Sequence, residues 1–91
     1  MENSKKPLYA ISVAADLADT SIQNLRAYER YGLVEPGRTE GGTRRYSGDD
    51  VARLLHIREL LDDGLNLAGI ERVLALEAEV AGLRAAALKR R

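Results

Sequence analysis

The chain has 91 residues, of which 45% are hydrophobic, and its 14 basic and 14 acidic side chains give a formal net charge of zero. This length allows one domain with a modest core, and the hydrophobic content argues against a disordered chain. The absence of cysteine excludes disulfides and thiolate metal sites, and the single histidine, His56, makes no zinc site on its own.

The charges are distributed unevenly along the chain. Residues 26–46 carry five arginines and three glutamates, a net charge of +2, whereas residues 47–71 sum to −4. If the chain binds nucleic acid, we therefore expect directed phosphate contacts rather than strong non-specific binding. No apolar run approaches the ~20 residues that a membrane span needs, and no secretory signal opens the chain, so a cytoplasmic protein without a membrane partner is expected.

The chain begins with a polar lead-in, residues 1–11, which is predicted to be flexible and to become extended towards its end. Ser12 is predicted to cap a first helix of barely two turns over residues 13–18, because a serine hydroxyl can accept from the free N–H groups of a first turn. The apolar residues of this segment would face the core.

A second short helix is predicted over residues 22–31, with Ser21 as its cap. Gly32 ends it, since the left-handed conformation that follows many helices is least costly without a Cβ. Two short helices with a three-residue connection fit a helix-turn-helix. Any helical hairpin in a small bundle would show the same pattern.

The second helix has one apolar and one polar face. At ~100° per residue, Ile22, Leu25 and Glu29 share the arc that is predicted to dock on the first helix. The opposite arc is Gln23, Asn24, Ala27 and Arg30, with Arg26 on a flank. Glutamine and asparagine amides can pair with adenine, and arginine with guanine, so this face suits DNA bases. A solvated polar face is the alternative.

A basic β-hairpin is predicted after the second helix. Gly41 and Gly42 form its turn, and arginines flank it on both arms. Because alternate residues of a strand point to opposite faces, one of Arg44 and Arg45 can reach DNA while the other pairs with a nearby glutamate, Glu29, Glu35 or Glu40. Tyr46 is predicted to pack inward. A helix followed by such a hairpin is typical of a winged helix-turn-helix.

The second half of the chain is predicted to be helical. Ser47 caps a third helix that stops at Gly64, and Asn66 caps a last helix that runs to about residue 88. The predicted core residues of these two helices are Val51, Leu54, Leu55, Ile57, Leu60, Leu61, Leu67, Ile70 and Leu74.

Apolar residues spaced 3-4-3-4 continue along the last helix beyond this core. They are Val73, Leu76, Val80, Leu83 and Ala87. This is the a/d pattern of a short coiled coil, so residues 73–91 are predicted to be a homodimer seam and residues 12–72 the DNA-binding domain. The alternative is that these residues pack on their own domain. The homodimer is favoured because the helix is longer than so small a core can cover.

The segment LRAYERYGLVEPGRTEGGTRRYS, residues 25–47, resembles the DNA-binding core of the MerR family of bacterial transcription regulators. In that family the recognition helix ends in an aromatic–acidic pair and a glycine, and it leads into a wing with spaced arginines and a closing Tyr-Ser. GLNLAGIERVLALE, residues 64–77, narrows the resemblance to the heat-shock-repressor branch, the relatives of HspR. The resemblance covers roughly residues 10–83.

The resemblance implies roles for individual residues. Arg26 and Tyr28 match positions that hold phosphates, and Arg44 matches a phosphate or minor-groove contact. Ala27 and Thr43 depart from the aromatic residues that are common at their positions. Polar face and resemblance together predict a DNA-contacting set of Ser21, Gln23, Asn24, Arg26, Tyr28, Arg30, Thr43, Arg44 and Arg45.

The sequence therefore indicates a mainly α winged helix-turn-helix protein with a small hairpin wing and a dimerising last helix. We expect a nucleoid-associated regulator that binds an inverted-repeat DNA operator as a homodimer without a cofactor. The resemblance implies a repressor of chaperone and stress operons, with a DnaK-type chaperone as a co-repressor. The alternative is an adapter that binds a chaperone or co-chaperone and has no DNA role. An enzyme is not expected, because no carboxylate pair, histidine dyad or phosphate-binding lysine loop is present.

Overall fold

The computed structural model describes residues 4–90. It has four helices, α1 (Ile11–Leu17), α2 (Ile22–Arg30), α3 (Gly48–Asp62) and α4 (Leu67–Lys89). Between α2 and α3 lie strands β1 (Gly37–Arg38) and β2 (Arg44–Arg45), which pair antiparallel with Gly37 opposite Arg45. The predicted mainly α architecture with a small hairpin is confirmed.

Helix α1 begins two residues earlier than predicted, and Ser12 does not cap it. Its N-cap is Ala10, which supplies no side-chain hydrogen bond. The reason lies in the preceding residue, because Tyr9 forms an antiparallel bridge with Tyr46, with backbone N···O distances of 2.8 and 2.7 Å. The chain leaves that bridge at Ala10 and turns directly into the helix, which places Ser12 inside the first turn.

The lead-in that was expected to be flexible is hydrogen-bonded where the structure describes it. The Leu8 N–H donates to the Tyr46 carbonyl at 3.1 Å, and the Ser4 carbonyl accepts from the Asp49 N–H at 2.8 Å. Residues 1–3 lie outside the described part of the chain. Residues 4–10 therefore run along the hairpin to the start of α3 instead of fraying.

The predicted ends of the other helices are confirmed. The side chains of Ser21, Ser47 and Asn66 each accept from the backbone N–H three residues later, at 2.8–3.0 Å, because a helix start leaves its first N–H groups unpaired. Gly32 and Gly64 follow α2 and α3 with φ of 81° and 99°. This left-handed geometry carries no steric cost without a Cβ.

One small core joins all four helices and the hairpin. Its buried hydrophobic residues are Ala14, Ala15, Ala18, Leu25, Tyr28, Leu33, Val34, Tyr46, Leu54, Ile57, Ile70 and Leu74. The prediction was wrong for Leu55, which is 42% exposed. At ~100° per residue Leu54, Ile57 and Leu61 share the inner side of α3, and Leu55 is turned away from them.

Helix α4 extends beyond this core. Ile70 and Leu74 are buried, as predicted, but every residue from Ala75 to Arg90 is exposed. The helix has 23 residues, a length of about 35 Å at 1.5 Å per residue. More than half of it therefore lies outside the domain.

Candidate nucleic-acid interface

The polar face of α2 lies at the surface. Gln23, Asn24, Arg26 and Arg30 are exposed, while Leu25 on the opposite side is completely buried. Helix α2 packs on α1 through this apolar side. Two amides near its N-terminus and two guanidinium groups further along therefore face outward, as the helical periodicity predicted.

Tyr28 is placed differently from the other predicted DNA contacts. It is 5% exposed and belongs to the core cluster. It also lines a small polar cleft with Ser21 and Asn24. A ligand can therefore reach it only through this cleft, and the buried side chain stabilises the packing of α2.

The hairpin is shaped by a tight turn. Gly42 has a φ of 86°, and its N–H donates to the Thr39 carbonyl at 2.9 Å. Across the turn, the Thr39 N–H donates to the Thr43 carbonyl at 2.8 Å. The Arg38 guanidinium donates to the Gly42 carbonyl at 3.2 Å and braces the turn from one strand. Thr43 is exposed beside it.

Glu29 connects α2 to both strands of the hairpin. One carboxylate oxygen accepts from Arg38 Nη2 at 2.6 Å, and the other accepts from Arg44 Nε. Glu29 has a side-chain exposure of 18%, so this carboxylate is partly shielded from water. The hydrogen bond to Glu29 raises the pKa of Arg44 above its ordinary value. Glu29, which helical periodicity assigned to the arc facing the first helix, therefore binds the hairpin instead and fixes it to the C-terminal half of α2.

The two adjacent wing arginines have different surroundings. Arg44 has the glutamate partner that the sequence predicted for one of them. Arg45, within residues 4–90, has no salt bridge and no side-chain hydrogen bond. The sequence did not single out Arg38 as a second partner of the same carboxylate. Arg38 lies directly across from Arg44 on the opposite strand, and this pairing brings both arginines within reach of Glu29.

Tyr46, next to these arginines, packs inward as predicted. It is completely buried, and burial raises the pKa of its hydroxyl. Among the residues that the structure describes, that hydroxyl has no hydrogen-bond partner. Tyr46 therefore anchors the end of the hairpin in the core and is not exposed at its surface.

The predicted seam on α4 is exposed. Leu76, Val80 and Leu83 have exposures of 57%, 43% and 65%, while Val73 is partly buried where the helix leaves the core. A shallow apolar groove of about 390 Å³ runs along this face between Val73 and Arg84. Ala87 is also exposed. No part of the described domain covers this stripe of side chains.

His56 lies where α4 leaves the domain. Its Nε2 is 2.9 Å from a carboxylate oxygen of Glu77 on α4, and its Nδ1 is 3.2 Å from Glu59 on α3. Carboxylates only accept hydrogen bonds, so both ring nitrogens must donate, which requires the charged imidazolium. Accordingly, the hydrogen bonds to Glu77 and then to Glu59 raise the pKa of His56.

Two contacts at the start of α2 were not predicted from the sequence. The Thr20 hydroxyl oxygen accepts from Asn24 Nδ2 at 3.0 Å, and Arg58 of α3 donates to the Asp19 carbonyl. The i, i+4 spacing of Thr20 and Asn24 across a capped helix start could have suggested the first contact. No local pattern indicates the second, because it joins residues 39 positions apart.

No helix within residues 4–90 is both long enough and apolar enough to cross a membrane.

Comparison with known proteins places the chain in a family. Residues 9–77 match the family described as MerR HTH family regulatory protein. A Streptomyces coelicolor protein provisionally named heat shock protein HspR is 51% identical over 82 residues, which cover 89% of this chain and 54% of that protein. The chain therefore spans about half the length of this relative.

Solved structures give the same result. The transcription regulator PbrR691 from Ralstonia metallidurans CH34, in complex with lead(II), matches with a TM-score of 0.72 and 32% identity over 91% of this chain and 71% of that one. HiNmlR, a MerR family regulator lacking the sensor domain and bound to promoter DNA, matches with a TM-score of 0.66 and 26% identity over 90% of this chain and 79% of that one. Sequence and fold agree that the chain belongs to the MerR HTH family of regulatory proteins.

Proposed function

We propose that this chain is a sequence-specific reader of double-stranded DNA that regulates transcription. In a helix-turn-helix protein the second helix enters the major groove, which assigns that role to α2. The observation that carries the proposal is the double contact of Glu29 with Arg38 and Arg44, because it fixes the basic hairpin to the helix whose outward face is polar. Helix and hairpin together would then offer groups for bases and for phosphates. The similarity to HiNmlR, which was solved on promoter DNA, supports this use of the surface.

The proposed contacts divide into two kinds. Gln23 and Asn24, exposed in the first turn of α2, would read base edges, since their amides match the donor and acceptor of adenine. Arg26, Arg30 and Arg45, which have no salt bridges in the described part of the chain, would contact phosphates and set the register on the duplex. Ser21, Tyr28, Thr43 and Arg44 complete the proposed set, with Tyr28 accessible only through the cleft that it lines.

The active form is proposed to be a homodimer. Val73, Leu76, Val80, Leu83 and Ala87 would form the seam between two copies of α4. The exposure of three large apolar side chains on a helix that overruns its domain supports this assignment. Two readers joined in this way would bind two half-sites of an inverted repeat.

The regulated genes are proposed to be chaperone and stress operons, with the chain acting as a repressor. The relative named heat shock protein HspR supports this choice. A DnaK-type chaperone is the proposed co-repressor. The adapter hypothesis predicts a chaperone contact without DNA binding and is separated by the experiment below.

The test is selection of duplexes from a random pool by the purified chain, followed by sequencing of the retained DNA. We expect an inverted repeat, and addition of a DnaK-type chaperone should tighten binding to it. A chain that retains no preferred duplex but binds the chaperone is an adapter. Arg26→Ala is a useful companion variant, because it should weaken the retention of all duplexes without changing their ranking.

A further inference from the structure

The turn between α1 and α2 has an unusual backbone conformation. Asp19 has a φ of 54°, and it is the non-glycine residue with positive φ within residues 4–90. A short polar side chain tolerates this left-handed conformation better than most residues do. The next residue is tied back to α1, since the Thr20 N–H donates to the Ala15 carbonyl at 2.9 Å.

Helix α3 holds this turn from the other side. Arg58 Nη1 donates to the Asp19 carbonyl, and the same nitrogen lies 3.5 Å from the Asp19 carboxylate. Arg58 Nε lies 3.7 Å from Asp62, one helical turn further along α3. Backbone and side-chain contacts from two helices thus restrict the position of Thr20.

The fixed turn presents the Thr20 hydroxyl to the first turn of α2. Its Oγ1 accepts from Asn24 Nδ2 at 3.0 Å, while the Asn24 backbone N–H donates to Ser21 Oγ at 3.0 Å. Asn24 is exposed, so this contact contributes little to the packing of the core. What it does is hold the Asn24 side chain in one rotamer, with Nδ2 directed at Thr20 Oγ1.

This orientation leaves a defined pair of groups pointing away from the turn. An asparagine amide has two N–H donors and one carbonyl acceptor. With one N–H engaged by Thr20, the other N–H and the carbonyl oxygen remain available side by side. A donor next to an acceptor is the pattern that complements N7 and the N6 amino group of adenine in the major groove.

We propose that Thr20 is a specificity-positioning residue, which holds the Asn24 side chain in the position from which its carboxamide reads an adenine. The inference rests on the proposed DNA-reading function and deepens it by naming the group that orients one of its base contacts. Thr20 itself need not touch the DNA. Its effect should appear at the base pair that Asn24 reads and at no other position.

The test compares Thr20→Val, which keeps the shape but removes the acceptor, with Thr20→Ser, which keeps the hydroxyl. Each is measured with wild type and Asn24→Ala on the selected duplex and on duplexes changed at one base pair at a time. Asn24→Ala should abolish discrimination at one base pair. Thr20→Val should reduce discrimination at that same pair by roughly two- to tenfold, the range of one net hydrogen bond, and Thr20→Ser should preserve it. The salt dependence should stay unchanged, because no phosphate contact is altered.

Three results would overturn the inference, and they are distinguishable. If Asn24→Ala changes one base pair while Thr20→Val keeps full discrimination there, Asn24 reads DNA without help from Thr20 and the proposed function stands. If wild type prefers no duplex at all, the DNA-reading function fails and the inference fails with it. A loss spread evenly over all base pairs in Thr20→Val would show a general structural role and would also overturn it.

Discussion

Substitution of Glu29 by glutamine should make the chain bind DNA more tightly but less selectively. The carboxylate pairs with two arginines, one on each strand of the hairpin, and offsets one unit of their positive charge. Glutamine removes that charge and raises the net charge of residues 26–46 from +2 to +3. Arg38 and Arg44 then attract phosphates more strongly, while the hairpin loses at least one of its two hydrogen bonds to α2, because glutamine has a single acceptor oxygen.

The size of the effect follows from the charge that is removed. Each additional phosphate contact steepens the dependence of log K on log salt by about 0.9, which corresponds to roughly tenfold in affinity at about 0.1 M salt. Because one unit of negative charge is removed, the slope should steepen by about one unit. Non-specific binding gains this attraction in full. Binding to the selected duplex gains less, because the hairpin is no longer held in register, so the ratio of specific to non-specific affinity should fall.

The assay is titration of fluorescent duplexes, selected and scrambled, at several salt concentrations. Glu40→Gln is the matched control, because it removes the same charge from an exposed side chain that has no salt bridge in residues 4–90. We expect only a slight rise in affinity from the control. Equal slopes and equal affinity ratios in the two variants would refute a positioning role for Glu29.

Three further outcomes follow from the geometry. The pKa of His56 is raised in the folded chain, so its stabilisation is complete below the ordinary histidine pKa of about 6.5 and is lost as the pH rises through the raised value. The free energy of unfolding should therefore fall across that range, and it should fall less in His56→Gln. Tyr46→Phe removes a buried hydroxyl without a partner in residues 4–90, so it should leave stability unchanged or raise it by up to about 1–3 kcal/mol. Leu76→Glu with Leu83→Glu should leave a folded monomer that has lost up to ~10²–10⁴ in affinity for a two-half-site duplex.

A specific result would contradict each of these three predictions. A stability–pH curve that is the same for wild type and His56→Gln would mean that the imidazolium contributes nothing. A marked loss of stability in Tyr46→Phe would mean that the hydroxyl is satisfied. A double seam variant that sediments as a dimer and binds the full repeat like wild type would place the interface elsewhere.

Local sequence patterns predicted the helix ends well where a side chain provides the cap. Ser21, Ser47 and Asn66 were identified because each competes successfully for the N–H groups of its own first turn. Ser12 was misassigned because α1 starts where the Tyr9 bridge to a distant strand releases the chain. Such a start is dictated by tertiary pairing, and no residue within the helix reveals it.

Only part of the candidate functional surface was predicted, because only part of it depends on local sequence. The outward face of α2 and the basic hairpin follow from periodicity and turn residues, which are short-range signals. The sharing of Glu29 between two strands, and the Arg58 contact with the Asp19 carbonyl, depend on how separate elements pack. The sequence offered three glutamates as partners for a wing arginine, and only packing selects one of them.

The claim that α2 reads bases is tested most directly by comparing Gln23→Ala with Arg26→Ala on the selected duplex and its single-base variants. We expect Gln23→Ala to relax the preference at one base pair of each half-site, with a cost of about 1–3 kcal/mol on the best site and little elsewhere. Arg26→Ala should weaken all duplexes alike and reduce the salt slope by about one unit. A Gln23→Ala variant that ranks every duplex as wild type does would contradict base reading by this residue, and the same result for Asn24→Ala would remove α2 as the reader.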